Sequence, residues 1–304
     1  MRSSQATVEH AVQCRGVGLH SGVDVALRLL PAAPESGIRV RRTDVAAGTG
    51  EIPVDLAHVV NARLSTVIGN RHGVTVATVE HLMAALAGMG VDNAVVALDG
   101  PEIPAMDGSA APFVELIERA GICDQGAPRR AIRVRKPVSV ENGDSSISMM
   151  PADALSIEFQ IEFDSPVIAR QAKRMEFANG AFVEDIAPAR TFGFVDDVDR
   201  LRRAGFARGA SLDNAIAIDR ERVINRNGLR FDDEFVRHKI LDCVGDLYLA
   251  GAPILARVVA LRSGHAANHD LLRAMFADAD SWAWCDIPGE GGADDISEAT
   301  AAFG

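Results

Sequence analysis

The sequence has few cysteines, and no two of them are closely spaced. They are Cys14, Cys123, Cys243 and Cys285, and none forms a Cys-x-x-Cys pair. A disulfide-stabilised scaffold and a cysteine-based zinc knuckle are therefore not expected. This pattern is typical of proteins in a reducing compartment, and we predict a cytoplasmic location.

Long apolar runs are also lacking. The N-terminal segment MRSSQATVEH has no apolar core of the kind found in secretory signals. No uninterrupted apolar stretch approaches the roughly 18 residues of a membrane span. We expect no transmembrane segment, which does not exclude a lipid-like substrate because a peripheral enzyme needs no span.

Positive charge is in the minority, with 31 lysines and arginines against 42 aspartates and glutamates, a formal net charge of −11. Such a chain does not attract nucleic acid through its bulk charge, so we expect no nucleic-acid partner, although a local basic patch could still hold phosphates.

Low-complexity tracts are absent as well. The 304 residues, 48% of them hydrophobic, predict a globular protein with one large domain or two of ordinary size.

Both halves of the chain have strand patterns first and helix patterns later. In the first half, the alternating segment VDVALRLLPA precedes TVEHLMAALAGMG, a predicted helix with Thr78 as N-cap and Gly88 or Gly90 at its end. In the second half, LSIEFQIEF precedes a predicted helix over 233–250. This order indicates an α+β fold.

The segment CDQGAPRR at 123–130 has glycine, proline and charge without periodicity, and we predict that it is a linker. The expected architecture is two similar domains, each a two-layer β-sheet/helix sandwich, over 1–126 and 127–286. The acidic, glycine-rich segment 287–304 is predicted to be a mobile tail.

The stretch FVRHKILDCVGDL places His238, Asp242 and Asp246 four residues apart, on one face of the predicted helix. Carboxylates one turn apart repel each other, so either water screens them or a cation lies nearby. One interpretation is the solvated polar face of an amphipathic helix. The other is a metal site, since His and Asp at i and i+4 can ligate one ion.

Glu80 and His81 stand side by side near a predicted helix start, among apolar neighbours. One interpretation is a capping glutamate and a buried, hydrogen-bonded histidine. The other makes His81 a third metal ligand and Glu80 a general base beside a metal-bound water, because catalytic zinc sites combine three protein ligands with one water.

Two further segments carry polar or aromatic side chains that could take part in catalysis or binding. In RSGHAANHD, His265 is either a general acid or a turn residue, and His269 four residues later leaves the choice open. In PARTFGF, Thr191 could donate to a developing oxyanion, while Phe192 and Phe194 either stack on a sugar or base ring or belong to the core.

Together, the motifs GVGLHSG, TVEHLMAALAGMGVDN, PARTFGF, GLRFDDEFVRHKILDCVGDL and SGHA resemble those of the UDP-3-O-acyl-N-acetylglucosamine deacetylase family, in the family's order across 16–277. The resemblance implies a zinc-dependent amidohydrolase that releases acetate from UDP-3-O-(3-hydroxyacyl)-N-acetylglucosamine, the committed step of lipid A biosynthesis. It also implies one zinc per chain in a site between two domains, although the same ligand types can hold Fe²⁺. We expect a monomer.

The resemblance also assigns roles to individual residues. They are zinc ligation by His81, His238 and Asp242; general-base catalysis by Glu80; general-acid catalysis by His265, oriented by Asp246; oxyanion or phosphate stabilisation by Thr191 and Lys239; and contacts with the acyl chain, sugar-nucleotide or diphosphate by Leu19, Phe192, Phe194 and Arg262. Two alternatives remain at this point. One is a zinc amidohydrolase acting on another acylated amino sugar, and the other is a paralogue that binds nucleotide-sugar lipids without turnover.

Overall fold

The computed structural model of the protein describes residues 2–177 and 180–287. Apart from Ile287, the segment predicted to be a mobile tail lies outside the described residues. The described part has mixed helices and sheets, which confirms the α+β class. The division into two domains stays a prediction.

The first half contains a mixed sheet, here called the first sheet, with strand order β2-β3-β9-β4-β5. Its apolar face follows the period-2 alternation of strands such as β3, where Val25, Leu27 and Leu29 are buried. The elements of this half are β1 (Ser4–Val8), β2 (Val12–Val17), β3 (Asp24–Pro31), β4 (Ile38–Arg42), β5 (Glu51–Pro53), β6 (Val59–Asn61), β7 (Val67–Gly69), β8 (Thr75–Val76), α1 (Glu80–Met89), β9 (Ala94–Leu98), α2 (Ala111–Ala120) and β10 (Ile122–Pro128).

The second half is built on another mixed sheet, the second sheet, with order β12-β13-β19-β11-β20 and with β14 and β15 extending from β19. A small sheet, β16-β17-β18, accompanies α3. The elements are β11 (Arg130–Val134), β12 (Val138–Asn142), β13 (Ser145–Pro151), β14 (Ser156–Glu162), β15 (Arg170–Glu176), β16 (Phe192–Phe194), α3 (Val195–Arg203), β17 (Ile216–Asp219), β18 (Arg222–Val223), α4 (Glu234–Leu247), β19 (Ile254–Leu261), α5 (His265–Ala277) and β20 (Trp282–Asp286).

Two local predictions were wrong. The segment predicted to be a linker lies largely in β10, which pairs antiparallel with β1 in a register that sets Thr7 opposite Cys123. The N-cap of α1 is Val79, while the Thr78 side chain donates a hydrogen bond to Glu102 instead. In both cases a distant partner decides the local conformation. The predicted helix end at Gly90 is confirmed, since this glycine has a φ of 69°.

The helices pack on the sheets and on each other. Helix α2 packs on β2, α4 packs on β14 and β15, and α1 packs against α4. Buried side chains of both halves form one continuous apolar core. Helix α1 is therefore covered on every side, and all its residues from Glu80 to Leu86 are buried.

Gly245 lets α1 and α4 approach each other closely. A Cβ atom at this position would lie 2.0 Å from the carbonyl oxygen of Glu80 and 3.1 Å from the backbone nitrogen of Ala84. Only glycine fits where two helix backbones come this close. The contact brings the two polar motifs of the sequence together, because one lies on each helix.

Candidate active site

Three side chains from α1 and α4 form a compact buried cluster, here called the ligand cluster: His81, His238 and Asp242. Their nitrogen and oxygen ligand atoms all lie within 4.8 Å of one another. Asp242 Oδ1 is 3.6 Å from His81 Nε2 and 3.3 Å from His238 Nε2. Because His238, Asp242 and Asp246 are all buried, the solvated-face interpretation of α4 is wrong.

The hydrogen bonding of His238 prepares it as a metal ligand. Its Nδ1 lies 3.1 Å from the carbonyl oxygen of Ala189, to which it donates, so the Nε2 lone pair points at the ligand cluster. Burial lowers the pKa of His238 to about 4, outweighing the nearby Asp242 carboxylate. The ring is therefore neutral at physiological pH, as metal ligation requires.

Asp242 supplies the strongest indication of a cation. Among the described residues its Oδ1 has no hydrogen-bond partner, although the atom is buried. A buried, unpartnered carboxylate oxygen that faces two imidazole nitrogens needs a hydrogen-bond donor or a cation. Two imidazoles and one carboxylate form a donor set that suits Zn²⁺ and also Fe²⁺, and the residues present therefore fit such an ion.

Lys239 neutralises the other oxygen of this carboxylate. Its Nζ lies 2.6 Å from Asp242 Oδ2. Burial opposes the charge on both groups, but His238 and the Lys239 ammonium keep the pKa of Asp242 well below its usual range. Asp242 in turn raises the pKa of Lys239 despite the burial of the amine. Lys239 thus places a positive charge beside the ligand cluster.

Glu80 lies next to the ligand cluster without belonging to it. Its Oε2 accepts a hydrogen bond of 3.0 Å from the backbone nitrogen of Thr66, and its Oε1 is 3.8 Å from His265 Nε2. Burial raises the pKa of Glu80, and the charge of His265 only partly offsets this effect. A buried carboxylate with a raised pKa is a stronger base, which suits general-base catalysis.

His265, in the first turn of α5, is held by Asp246. Its Nδ1 lies 2.8 Å from Asp246 Oδ2. Burial alone would lower the pKa of His265, but the carboxylates of Asp246 and Glu80 outweigh it and raise the pKa to about 9. The imidazole is therefore cationic at neutral pH and can donate a proton from Nε2.

Sequence reasoning missed two partners of Asp246. Thr66 Oγ1 donates to Oδ1 at 2.6 Å, and Asn268 Nδ2 donates to Oδ2 at 2.8 Å. Asn268 stands in the quoted RSGHAANHD motif and could have been noticed there. Thr66 lies 180 positions from Asp246 with no periodic relation to it, so no sequence signal indicated this contact.

A largely apolar cavity of about 580 Å³ opens from the ligand cluster. Besides the three ligands, its wall includes these residues expected from the sequence: Leu19, Glu80, Thr191, Phe192, Phe194, Lys239 and His265. The ring of Phe192 packs edge-on against Phe235, with 5.0 Å between ring centroids, and lies 6.3 Å from the ring of His238. Phe192 therefore belongs both to the core and to the cavity wall.

The GVGLHSG loop is fixed over the cavity by a buried carboxylate. Glu102 accepts hydrogen bonds from the backbone nitrogens of His20, at 2.9 Å, and Ser21, at 2.7 Å. His20 itself lines the cavity beside Leu19, a role that the sequence did not indicate. The same carboxylate holds Thr78, so one residue connects the loop with the start of α1.

Arg262 is not brought to this cavity. Its guanidinium pairs with Glu162 and lies 3.4 Å from an oxygen of Asp144, beside a separate surface depression. A contact of Arg262 with the diphosphate stays a prediction. No helix within residues 2–177 and 180–287 is long and apolar enough to cross a bilayer.

Comparison with known proteins decides the family. The model of the family described as "LpxC: UDP-3-O-acyl N-acetylglycosamine deacetylase" matches residues 5–277. The chain belongs to this deacetylase family. Its relatives among the deacetylases include proteins named UDP-3-O-acyl-N-acetylglucosamine deacetylase from Acidithiobacillus ferrooxidans, 49% identical over 284 residues and 93% of each chain, and from Vibrio campbellii, 47% identical over 290 residues and 95% of each chain. A deacetylase of the same name from Shewanella baltica is 47% identical over 280 residues, 91% of each chain.

Membership of the deacetylase family confirms the resemblance found in the sequence motifs. The matched range contains the ligand cluster, Glu80, Asp246 and His265. All the site residues described above thus lie in the part of the chain that is shared with the family.

Proposed function

We propose that the protein is a zinc-dependent amidohydrolase that removes the N-acetyl group of UDP-3-O-(3-hydroxyacyl)-N-acetylglucosamine and releases acetate, in the cytoplasm, as the committed step of lipid A biosynthesis. The observation that carries the proposal is the buried ligand cluster with an acid and a base beside it, at the inner end of an apolar cavity. Family membership supports the choice of substrate. The other acylated amino sugars considered above have no observation in their favour.

The proposed metal would be held by His81, His238 and Asp242. When bound, zinc polarises the amide carbonyl and lowers the pKa of a water molecule. Glu80 accepts the proton of the attacking water, for which its raised pKa and its position beside the ligand cluster are suited. The backbone N–H of Thr66 donates a hydrogen bond to Oε2 of Glu80 and so fixes the orientation of this carboxylate.

The second half of the reaction needs an acid and a stabilised oxyanion. His265 is protonated at neutral pH and held by Asp246, so it can pass its Nε2 proton to the amine nitrogen as the carbon–nitrogen bond breaks. Thr191 lines the same cavity and would donate its hydroxyl to the oxyanion. Lys239 would add positive potential at this point.

The cavity supplies a place for the acyl chain. Leu19 and Phe194 lie on its wall with other apolar side chains. Burial of a hydrocarbon chain there would remove apolar surface from water, at about 0.8 kcal/mol per methylene. Phe192, on this wall and 6.3 Å from the ring of His238, would contact the sugar.

The test measures zinc content and acetate release together, on the wild type and on Glu80→Gln. We expect about one zinc per chain in both proteins and at least a 10²-fold lower turnover in the variant. His238→Ala is the control that should lose both zinc and turnover. A zinc-loaded wild type that releases no acetate would contradict the proposed substrate, and a wild type that stays inactive and metal-free after zinc addition would contradict the metal mechanism.

A further inference from the structure

His269 is a buried histidine that the proposed mechanism does not use. It lies on α5, one turn after His265, and its side chain has no exposed surface. Its Nε2 is 3.3 Å from Asp246 Oδ1 and 3.4 Å from Thr66 Oγ1. Among the described residues its Nδ1 has no hydrogen-bond partner. The polar surroundings of this ring are therefore confined to one nitrogen.

The hydrogen bonds around Thr66 determine the tautomer of His269. The Thr66 hydroxyl donates its only proton to Asp246 at 2.6 Å, so towards His269 its oxygen can only accept. Both atoms near Nε2 are thus acceptors. Nε2 must carry the proton, and its N–H is shared between the Asp246 carboxylate and the Thr66 hydroxyl.

This N–H completes the shell around Asp246. Oδ2 receives donors from His265 and Asn268, each at 2.8 Å, and Oδ1 receives the Thr66 hydroxyl at 2.6 Å and has His269 Nε2 at 3.3 Å. A carboxylate offers about four acceptor sites, two on each oxygen, and a polar hydrogen from His269 would fill the fourth. Such a carboxylate is fixed in orientation as well as in charge.

Thr66 also links this carboxylate to the general base. Its side chain binds Asp246, while its backbone nitrogen binds Glu80. His269 lies next to Thr66, with its Nε2 3.4 Å from Thr66 Oγ1. Displacement of Thr66 would therefore affect the proposed acid and the proposed base at once.

We propose that His269 is a positioning residue, whose Nε2–H holds Asp246 Oδ1 and the Thr66 hydroxyl so that Oδ2 stays aligned on His265. This role rests on the proposed function, because it acts through the proposed general acid. A residue that only filled the core could be replaced by an apolar side chain of the same length, whereas a positioning residue needs its N–H.

The test compares His269→Gln with His269→Met, two unbranched side chains of similar length of which only glutamine has an N–H at its end. In zinc-loaded protein we expect the methionine variant to lose about tenfold in kcat, with KM and zinc content unchanged, since a hydrogen bond to a charged group is removed. The glutamine variant should stay within about threefold of the wild type. Equal losses in both variants, or a wild-type kcat in the methionine variant, would overturn the proposal.

A second variant keeps the test decisive if His269→Met does not fold. Thr66→Val removes the other donor to Oδ1 but keeps the backbone contact with Glu80, and it should also lower kcat about tenfold. Where both single variants fold, the loss in the double variant should be smaller than the product of the single losses, because both act on one oxygen. A wild-type kcat for Thr66→Val, or fully multiplicative losses, would contradict the proposed role.

NMR of ¹⁵N-histidine-labelled protein separates this inference from the proposed function. At fixed pH, the Nδ1–H resonance of His265 should shift in His269→Met and stay near its wild-type position in His269→Gln. Unchanged spectra in both variants would overturn the positioning role whatever the turnover. If the wild type releases no acetate but His269→Met shows the expected shift, the proposed function is contradicted and the hydrogen bond is established.

Discussion

Gly245 lies at the crossing of α1 and α4, where even the smallest substitution should have a large effect on the site. Gly245→Ala adds one methyl group, and in an ordinary helix this change stabilises by about 1 kcal/mol. Here the new Cβ would lie 2.0 Å from the carbonyl oxygen of Glu80, where carbon and oxygen need about 3.3 Å. Because the obstacle is backbone, no side-chain rotation can relieve it, and the two helices must separate by about 1.3 Å.

This separation acts directly on the ligand cluster. His81 lies on one helix, while His238 and Asp242 lie on the other. Zinc–ligand distances are tolerated within about 0.2 Å, so a shift several times larger should lower zinc affinity by at least 10²-fold. Overpacking by backbone contact should cost about 3 kcal/mol, which leaves a net loss of stability of about 2 kcal/mol after the gain in helix propensity.

The assay combines a zinc titration with thermal unfolding of the metal-free and zinc-loaded protein. Gly245→Ala should lower the Tm of the metal-free protein by about 4 °C and should bind zinc weakly. Gly193→Ala is the matched control, because its Cβ would have no atom within 4 Å and should leave both quantities unchanged. If Gly245→Ala binds one zinc with wild-type affinity and melts at the wild-type temperature, the argument from helix contact is refuted.

Three further predictions concern stability, reactivity and substrate choice. Arg190→Met should lower the free energy of unfolding, measured by chemical denaturation, by about 3–5 kcal/mol, because the buried Glu234 loses its bidentate partner. Arg190→Lys should not restore the wild-type stability, since lysine cannot make two parallel hydrogen bonds. A loss of stability below about 1 kcal/mol in Arg190→Met would contradict this argument. Maleimide labelling of the native protein, followed by mass spectrometry, should show that the exposed Cys123 reacts first. Burial raises the thiol pKa of Cys243, so this residue should react only after unfolding. Labelling of Cys243 in the native protein at the rate of Cys123 would be inconsistent with the fold. Val198→Phe, on the cavity wall, should raise KM several-fold for a long-acyl substrate and little for a short-acyl one, and an equal effect on both would argue against acyl binding there.

The pairing of ligands on α4 could be predicted from the sequence, whereas the environment of that helix could not. Residues spaced at i, i+4 and i+8 lie on one face of a helix, so His238, Asp242 and Asp246 share a face whatever surrounds them. The same pattern would suit a solvated surface equally well. The choice between a metal site and a solvated face depended on α1 covering that face, which is a long-range contact.

The wrong local predictions have the same origin. Segment 123–130 has the composition of a linker, yet most of it pairs with β1 from the opposite end of the first half. Thr78 is a good N-cap residue by type, but the buried Glu102 takes its hydroxyl. Local propensities are worth about 1 kcal/mol, and a satisfied buried carboxylate or a strand pairing outweighs them.

The sequence by itself determined the α+β order of strands and helices, the family through its ordered motifs, and the identity of the side chains that can ligate a metal and transfer protons. Periodicity and residue chemistry are local properties and can be read along the chain. Only the tertiary structure decided that these side chains meet, that Asp242 Oδ1 is buried without a partner, and that Thr66 and His269 complete the shell of Asp246. Those properties depend on burial and on distances between residues far apart in the chain. The contact between α1 and α4, which brings the ligand cluster together, also needs the close approach that Gly245 permits.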